Sequence, residues 1–135
     1  MTANDLVKAL AGKWKNTGIG IVNNSPVGFD NFIEIMQVKD PHTLSIRCEG
    51  LREGVVSASD WRIELINDDV SMDQGSYVAR GKRENNVYNL VGYDKGLEIR
   101  HRIVVLGDKI IFHREFWTDG KATQVDFSYL VKMVE

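Results

Sequence analysis

Three groups of residues in the last third of the chain could do acid–base or anion-binding chemistry: His101 with Arg102, the run His113-Arg114-Glu115, and Asp126. A histidine beside a carboxylate can serve as a general base with its orienting partner. An arginine held out of water must meet an anion, either a protein carboxylate or the carboxylate or phosphate of a ligand. Which chemistry applies depends on which of these side chains share a face.

The turns between them set that. Gly107-Asp108 and Asp119-Gly120 read as two-residue hairpin loops. The first pairs Leu106 with Lys109, so Arg102 opposes His113, His101 opposes Arg114 and Arg100 opposes Glu115. The second, as a type I′ loop, pairs Thr118 with Lys121. Glu115 then opposes Gln124, Arg114 opposes Val125, His113 opposes Asp126 and Phe112 opposes Phe127. The three strands acquire two faces. One carries Ile99, Ile103, Val105, Ile110, Phe112, Phe116, Val125, Phe127, Tyr129 and Val131, interrupted by His101 and Arg114. The other carries the polar rows Arg102–His113–Asp126 and Arg100–Glu115–Gln124.

Two orientations follow. With the apolar face inward, Phe112, Phe116 and Phe127 line a lumen, and Arg114, His101 and Tyr129 anchor a partly apolar, anionic ligand. Glu34 or another carboxylate is the structural alternative as partner for Arg114. The polar rows become a solvent-facing ladder worth well under about 1 kcal/mol per pair. With the rows inward, His113 with Asp126 or Glu115 is a desolvated cluster of the kind an isomerase, cyclase or lyase uses. A homodimer must then cover the apolar wall. Ser128 falls opposite Ile111 rather than beside His113, so no nucleophile completes a triad.

The elements that position these residues are mostly strands. Residues 3–11 read as one short helix, capped by Thr2 or Asn4, with Leu6 and Leu10 on one face and Gly12 ending it. The helix is too short to form a core and suits the end of something larger. Candidate strands follow at 13–22, 28–38, 43–51, 57–66, 69–80, 86–93, 97–106, 109–118 and 121–133, separated by Asn-, Asp-, Gly- and Pro-rich turns. Tight turns leave no room for crossover helices, so the sheet is antiparallel. Closing it removes two exposed edges. The reading is an all-β, up-and-down barrel of about eight to ten strands in a single domain spanning 1–135, with the helix across one end. The aromatic residues Trp14, Phe29, Phe32, Trp61, Tyr77, Phe112, Phe116, Phe127 and Tyr129 read as core, with room for a pocket where the barrel tapers.

Composition excludes several classes. The 135 residues carry a net charge of −2 with no lysine/arginine run, which argues against nucleic acid. One cysteine, Cys48, leaves no internal disulfide and no CxxC site. His42, His101 and His113 are too scattered for a metal motif, and Gly18-x-Gly20 lies within a strand without a phosphate-binding pattern. The glycines there would admit close approach of another group. No segment resembles a signal peptide or a bilayer span of about 20 apolar residues, so the expected location is the cytoplasm.

Leu10-Ala11-Gly12-Lys13-Trp14 resembles the helix-then-GxW opening of lipocalins and fatty-acid-binding proteins, in which the tryptophan closes the barrel floor. The continuation, Trp14-x-x-x-Gly18-x-Gly20 and then Phe29-x-x-Phe32-x-Glu34, is similar to the nitrobindin-like barrels. Arg102-Ile103-Val104-Val105-Leu106-Gly107-Asp108-Lys109-Ile110 resembles that family's hairpin before its last strands. The resemblance implies a calycin-type barrel with a ligand cavity, and in nitrobindins a haem held by a histidine on the final strand. Here Lys121–Met133 contains no histidine, and Asp126 or a neighbour stands about where it would be. His113 substitutes only if the polar rows face inward, which is the orientation the resemblance favours. The architecture and cavity carry over as expectations. No cofactor is expected, with a haem-binding barrel and nitric-oxide chemistry as the rival reading.

Overall fold

A computed structural model describes residues 3–22, 25–28, 32–52 and 55–134. Thr2, Phe29 and the Asn23-Asn24 and Glu53-Gly54 turns lie outside these residues. Helix α1 (Ala3–Leu10) leads into β1 (Gly12–Val22), β2 (Ser25–Gly28), β3 (Phe32–Asp40), β4 (Thr43–Arg52) and β5 (Val55–Ile66). Then come β6 (Asp69–Asp73), β7 (Val78–Glu84), β8 (Val87–Asp94), β9 (Leu97–Leu106), β10 (Lys109–Thr118) and β11 (Lys121–Lys132). Each strand from β3 to β11 pairs antiparallel with the next; β1 joins β3 and β11 and closes the barrel. Short β2 pairs with Ile19–Val22 at the edge of β1.

Two differences in strand count have local causes. The segment expected as one strand at 69–80 is β6 and β7. Between them Gly75 N donates to Asp73 Oδ1 at 2.9 Å and Gln74 N to Tyr77 O at 3.0 Å. This Asx-type turn holds Gly75-Ser76 but no Asn-Gly, Asp-Gly or proline to mark it. The second difference is β2, which falls where a turn at Ser25-Pro26 was expected.

The β9–β10 hairpin forms in the expected register, Leu106 with Lys109 through Arg100 with Glu115. Its turn has positive φ at Gly107 alone (65°), as a type II′ loop requires, while Asp119 (50°) and Gly120 (76°) are both positive, as in type I′. After the second turn the expected pairs, Thr118 with Lys121 and Trp117 with Ala122, also form. Thr123 is then left without a partner, and Phe116 pairs with Gln124. The Thr123 hydroxyl donates to Phe116 O at 3.3 Å.

This β-bulge overturns the rest of the β10–β11 register. Arg114 opposes Asp126 instead of Val125, His113 opposes Phe127 instead of Asp126, and Phe112 opposes Ser128 instead of Phe127. One extra residue in a period-two element sends every later side chain to the other face. Phe127 and Tyr129, expected inside, are 44% and 36% exposed, whereas Asp126 is 4% exposed. Asp126, expected on an outer row or in an inward His113 pair, faces the lumen without His113.

Strands β9 and β10 keep their apolar faces inward, with Ile99, His101, Ile103 and Val105 buried beside Ile110. Arg100 and Arg102 face out. The floor lies at the α1 end. There Leu6, Val7 and Leu10 close over Trp14, whose Nε1 donates to Leu10 O at 2.9 Å. Leu44, Leu65, Met72, Tyr88 and Leu90 pack above it, almost fully buried. Each such side chain contributes roughly 1.5–3 kcal/mol. Among the described residues no helix is long and apolar enough to cross a membrane.

Candidate functional site

Above the packed floor the lumen is hollow. A cavity of about 230 Å³ is lined by Phe32, Trp61, Phe112 and Leu130 on its apolar side and by Asn16, Glu34, Cys48, Ser59, Gln74, Arg114, Asp126 and Ser128 on its polar side. A smaller void of about 20 Å³ beneath it shares Glu34, Trp61, Phe112 and Leu130 and is otherwise apolar. These four residues therefore mark the boundary between the dry and the polar halves.

Strand alternation places each group. On β1, Trp14 and Asn16 point inward two residues apart, and Gly18 follows on the same face. A side chain at Gly18 would have its Cβ 2.7 Å from Phe127 O and 2.9 Å from Ser128 Oγ, so only glycine lets β11 come this close. On β3, Phe32, Glu34 and Met36 point inward. The Phe32 ring lies directly over Gly50, filling the space that a Cβ there would occupy. Trp61 meets Phe112 edge-on at 6.1 Å, and Phe112 meets His101 edge-on at 5.6 Å.

The charges inside are unequally satisfied. Arg114 Nε donates to Asp126 Oδ2 at 2.9 Å, and its Nη2 makes a second contact with the same oxygen. Gln124 Nε2 donates to both oxygens of Asp126, at 3.3 and 3.2 Å. The guanidinium also lies 5.0 Å from the centre of the Phe116 ring. Arg114 is thus partnered by a protein carboxylate, and that carboxylate is Asp126 rather than Glu34. Glu34 is 8% exposed and has no hydrogen-bond partner among the described residues, and burial pushes its carboxyl up to about 7. Across the β3–β4 ladder, burial and the nearby Glu34 push the Cys48 thiol up to about 12. The Asn16 Oδ1 is buried without a partner.

His101 is tied off. Its Nε2 lies 2.8 Å from the Tyr77 hydroxyl, the two rings stack at 5.8 Å, and burial followed by the charge of Arg114 lowers it to about 3. It is therefore a neutral imidazole at any ordinary pH.

Of the residues expected to bind ligand, Phe112 and Arg114 line the cavity. Trp14 lies in the floor, Phe116 contacts Arg114, and His101 is engaged by Tyr77. Phe127 and Tyr129 face outward. The expected His113–Asp126 pair does not form. His113 shares the outer face with Glu115, 3.8 Å from its carboxylate, and its ring lies 6.3 Å from Phe127. Asn16, Trp61, Gln74 and Ser128 were not anticipated as lining. The sequence assigns Cys48 no role in the lumen, and it offers Glu34 as a partner for Arg114 and as part of the Phe29-x-x-Phe32-x-Glu34 resemblance. Glu34 did carry a signal: a carboxylate at the centre of the inward triplet Phe32-x-Glu34-x-Met36.

Among the described residues no group of three or more His, Cys, Asp or Glu side chains could hold a metal ion. A haem does not fit this lining either. No cavity residue is a histidine, the single cysteine is held as a thiol, and the inward His101 gives its Nε2 to Tyr77 while its Nδ1 lies buried away from the cavity lining.

No protein-family model and no curated protein sequence matches the chain. Solved structures do. The S-type phycobiliprotein lyase CPES from Guillardia theta superposes with a TM-score of 0.76 at 14% identity, covering 100% of this chain and 94% of that one. Rv2717c from M. tuberculosis gives 0.69 at 11% identity over 98% of both chains. A point mutant of the fluorescent protein UnaG gives 0.57 at 9% identity, covering 96% of this chain and 99% of that one. At these identities the likeness concerns architecture alone: the chain has a calycin-type barrel fold.

Proposed function

We propose that this chain binds one small, partly apolar molecule in the upper half of its lumen. One observation carries the reading. A barrel packed tightly at one end leaves about 230 Å³ open at the other, where aromatic rings face the desolvated Glu34 carboxyl and an Asn16 amide oxygen without a partner among the described residues. Sites for small molecules combine an apolar wall with a few convergent polar groups in this way. A folded chain does not keep a buried carboxyl and a buried amide oxygen unpaired without cost, and a ligand can supply the missing bonds.

The Arg114–Asp126 pair bears on what that molecule is. With its guanidinium engaged, the lumen offers no free cation among the described residues to capture a carboxylate or phosphate, so the anionic ligand expected from Arg114 loses its main support. The enzyme reading built on His113 with Asp126 or Glu115 loses its geometry, because His113 and Glu115 lie outside the chamber that Asp126 faces. Similarity to a phycobiliprotein lyase adds linear tetrapyrroles to the molecules worth testing, part of which would project from the open mouth.

Native mass spectrometry of freshly purified protein tests the reading, together with fluorescence of the neutral dye N-phenyl-1-naphthylamine. We expect a co-purified mass or dye enhancement that Cys48→Phe, which fills the cavity, removes while the variant remains folded by circular dichroism. Neither signal, or signals unchanged by Cys48→Phe in a folded variant, would contradict it.

A further inference from the structure

We infer that the ligand presents hydrogen-bond donors, as a cationic or N–H-rich group, to the carboxyl of Glu34 and the amide oxygen of Asn16, with its flat apolar part against Trp61 and Phe112. This rests on the cavity being a binding site and adds the polarity of what it takes.

The argument starts from what is left unpaired. Glu34 and Asn16 are each 8% exposed and line the same cavity. Among the described residues Glu34 has no hydrogen-bond partner and burial is the one influence on its carboxyl, and the Asn16 Oδ1 is buried without a partner. Both vacancies can be filled by donors. Asn16 opposes Phe32, and Glu34 lies two residues further along β3, so the two are diagonal neighbours on one face of the sheet. Such neighbours are about 7–8 Å apart, a span one planar group can bridge.

The charge balance points the same way. The other ionisable groups sharing the chamber are Cys48 on β4, Arg114 on β10 and Asp126 on β11, while Asn16 on β1 and Ser59 on β5 do not titrate. Arg114 and Asp126 cancel each other, and Cys48 stays protonated. His101 is neutral and turned toward Tyr77. Among the described residues Glu34 is left to set the sign, and burial holds its proton until about pH 7. A cation arriving beside it replaces that proton, so binding releases one proton below neutrality and strengthens as pH rises. An anion would meet the Glu34 carboxylate above neutrality, and no unpaired cation faces it among the described residues.

Isothermal titration calorimetry with three probes of one shape reads this directly: benzamidine, benzoate and acetophenone. Benzamidine is expected to bind at least about tenfold tighter than either of the others. Its affinity should fall about tenfold from pH 8 to pH 6, with proton release seen as a buffer-dependent heat. Glu34→Gln, which keeps the shape, should remove the pH dependence and weaken benzamidine about tenfold or more, and Asn16→Ala should weaken it severalfold. If benzoate or acetophenone binds as well as benzamidine, or Glu34→Gln changes nothing, the donor assignment is wrong while the binding site stands. If none of the probes binds and the neutral dye gives no signal, the binding site itself is wrong.

Discussion

The two halves of the lumen are made by the same strands and held together by opposite means. At the α1 end, Trp14, Leu44, Leu65, Met72, Tyr88 and Leu90 fill the space with almost no residual exposure. At the open end the same strands turn in Asn16, Glu34, Cys48, Arg114, Asp126 and Ser128 and leave a cavity. Area burial stabilises the first half. In the second, hydrogen bonds and charge pairing must offset the desolvation of polar groups, and at Glu34 and Asn16 they do not. The lower half supplies the stability that lets the upper half remain incompletely satisfied, a common arrangement at binding sites.

Substitutions should expose that division. Trp14→Ala opens a void in the dry half and is expected to cost about 3–5 kcal/mol, whereas Phe112→Ala, whose ring already faces the cavity, should cost about 2. Urea denaturation of both variants checks the contrast, and equal losses would erase the distinction between the halves.

Arg114→Ala is next in size. It leaves Asp126, whose side chain is 6% exposed, facing the lumen without its cation. The expected loss is about 2–4 kcal/mol, largely recovered when Asp126→Leu is combined with Arg114→Met. A double-mutant cycle by thermal melting measures the coupling.

A pH series separates the two buried titrating groups. Glu34 holds its proton to about 7 when folded but releases it near 4.5 when unfolded. The folded chain binds the extra proton between those values, so the Glu34 contribution falls as pH rises through that window. His101 runs oppositely. It is neutral down to about 3 when folded but takes a proton near 6.5 when unfolded, so its contribution is lost as pH falls through that range. The slopes oppose each other between 4.5 and 6.5. Glu34→Gln should therefore make stability climb with pH across that window by on the order of 2–3 kcal/mol, and should stabilise the protein at pH 8. A variant whose pH profile matches the parent would show that Glu34 is not desolvated.

A further effect is kinetic and leaves stability untouched. With its thiol raised from 9.0 to about 12, Cys48 should react with iodoacetamide at pH 8 on the order of 10³-fold more slowly than a free thiol. Unfolding in urea should restore the ordinary rate.

Much of the barrel is legible in the residues, and the point where legibility stops is instructive. The closed antiparallel barrel, the helix across its end and the whole β9–β10 register follow from alternation and the Gly107-Asp108 turn. The β10–β11 register fails one step beyond an equally legible turn. The bulge falls on Thr123 in Lys121-Ala122-Thr123-Gln124, where no glycine or proline marks it. The alternation of Val125, Phe127, Tyr129 and Val131 then reads as a core face, although apolar residues on a surface are common and carry little information. The informative residue was Asp126: an inward carboxylate opposite Arg114 satisfies both charges, which the unbulged register leaves apart. The upper half was hard to read because Asn16 and Glu34 meet only through the β1–β3 pairing, while Arg114, Asp126 and Ser128 reach the same chamber only when β11 closes on β1.

The central claim is that the open half of the lumen, and not the apolar outer face of β11, takes the ligand. Side-chain NMR during titration with N-phenyl-1-naphthylamine tests it most directly. The account predicts shifts at the Trp61 indole and the Asn16 and Gln74 amides, with the rings of Phe127 and Tyr129 unmoved. Shifts confined to Phe127, Tyr129 and Val131, with the chamber silent, would contradict it.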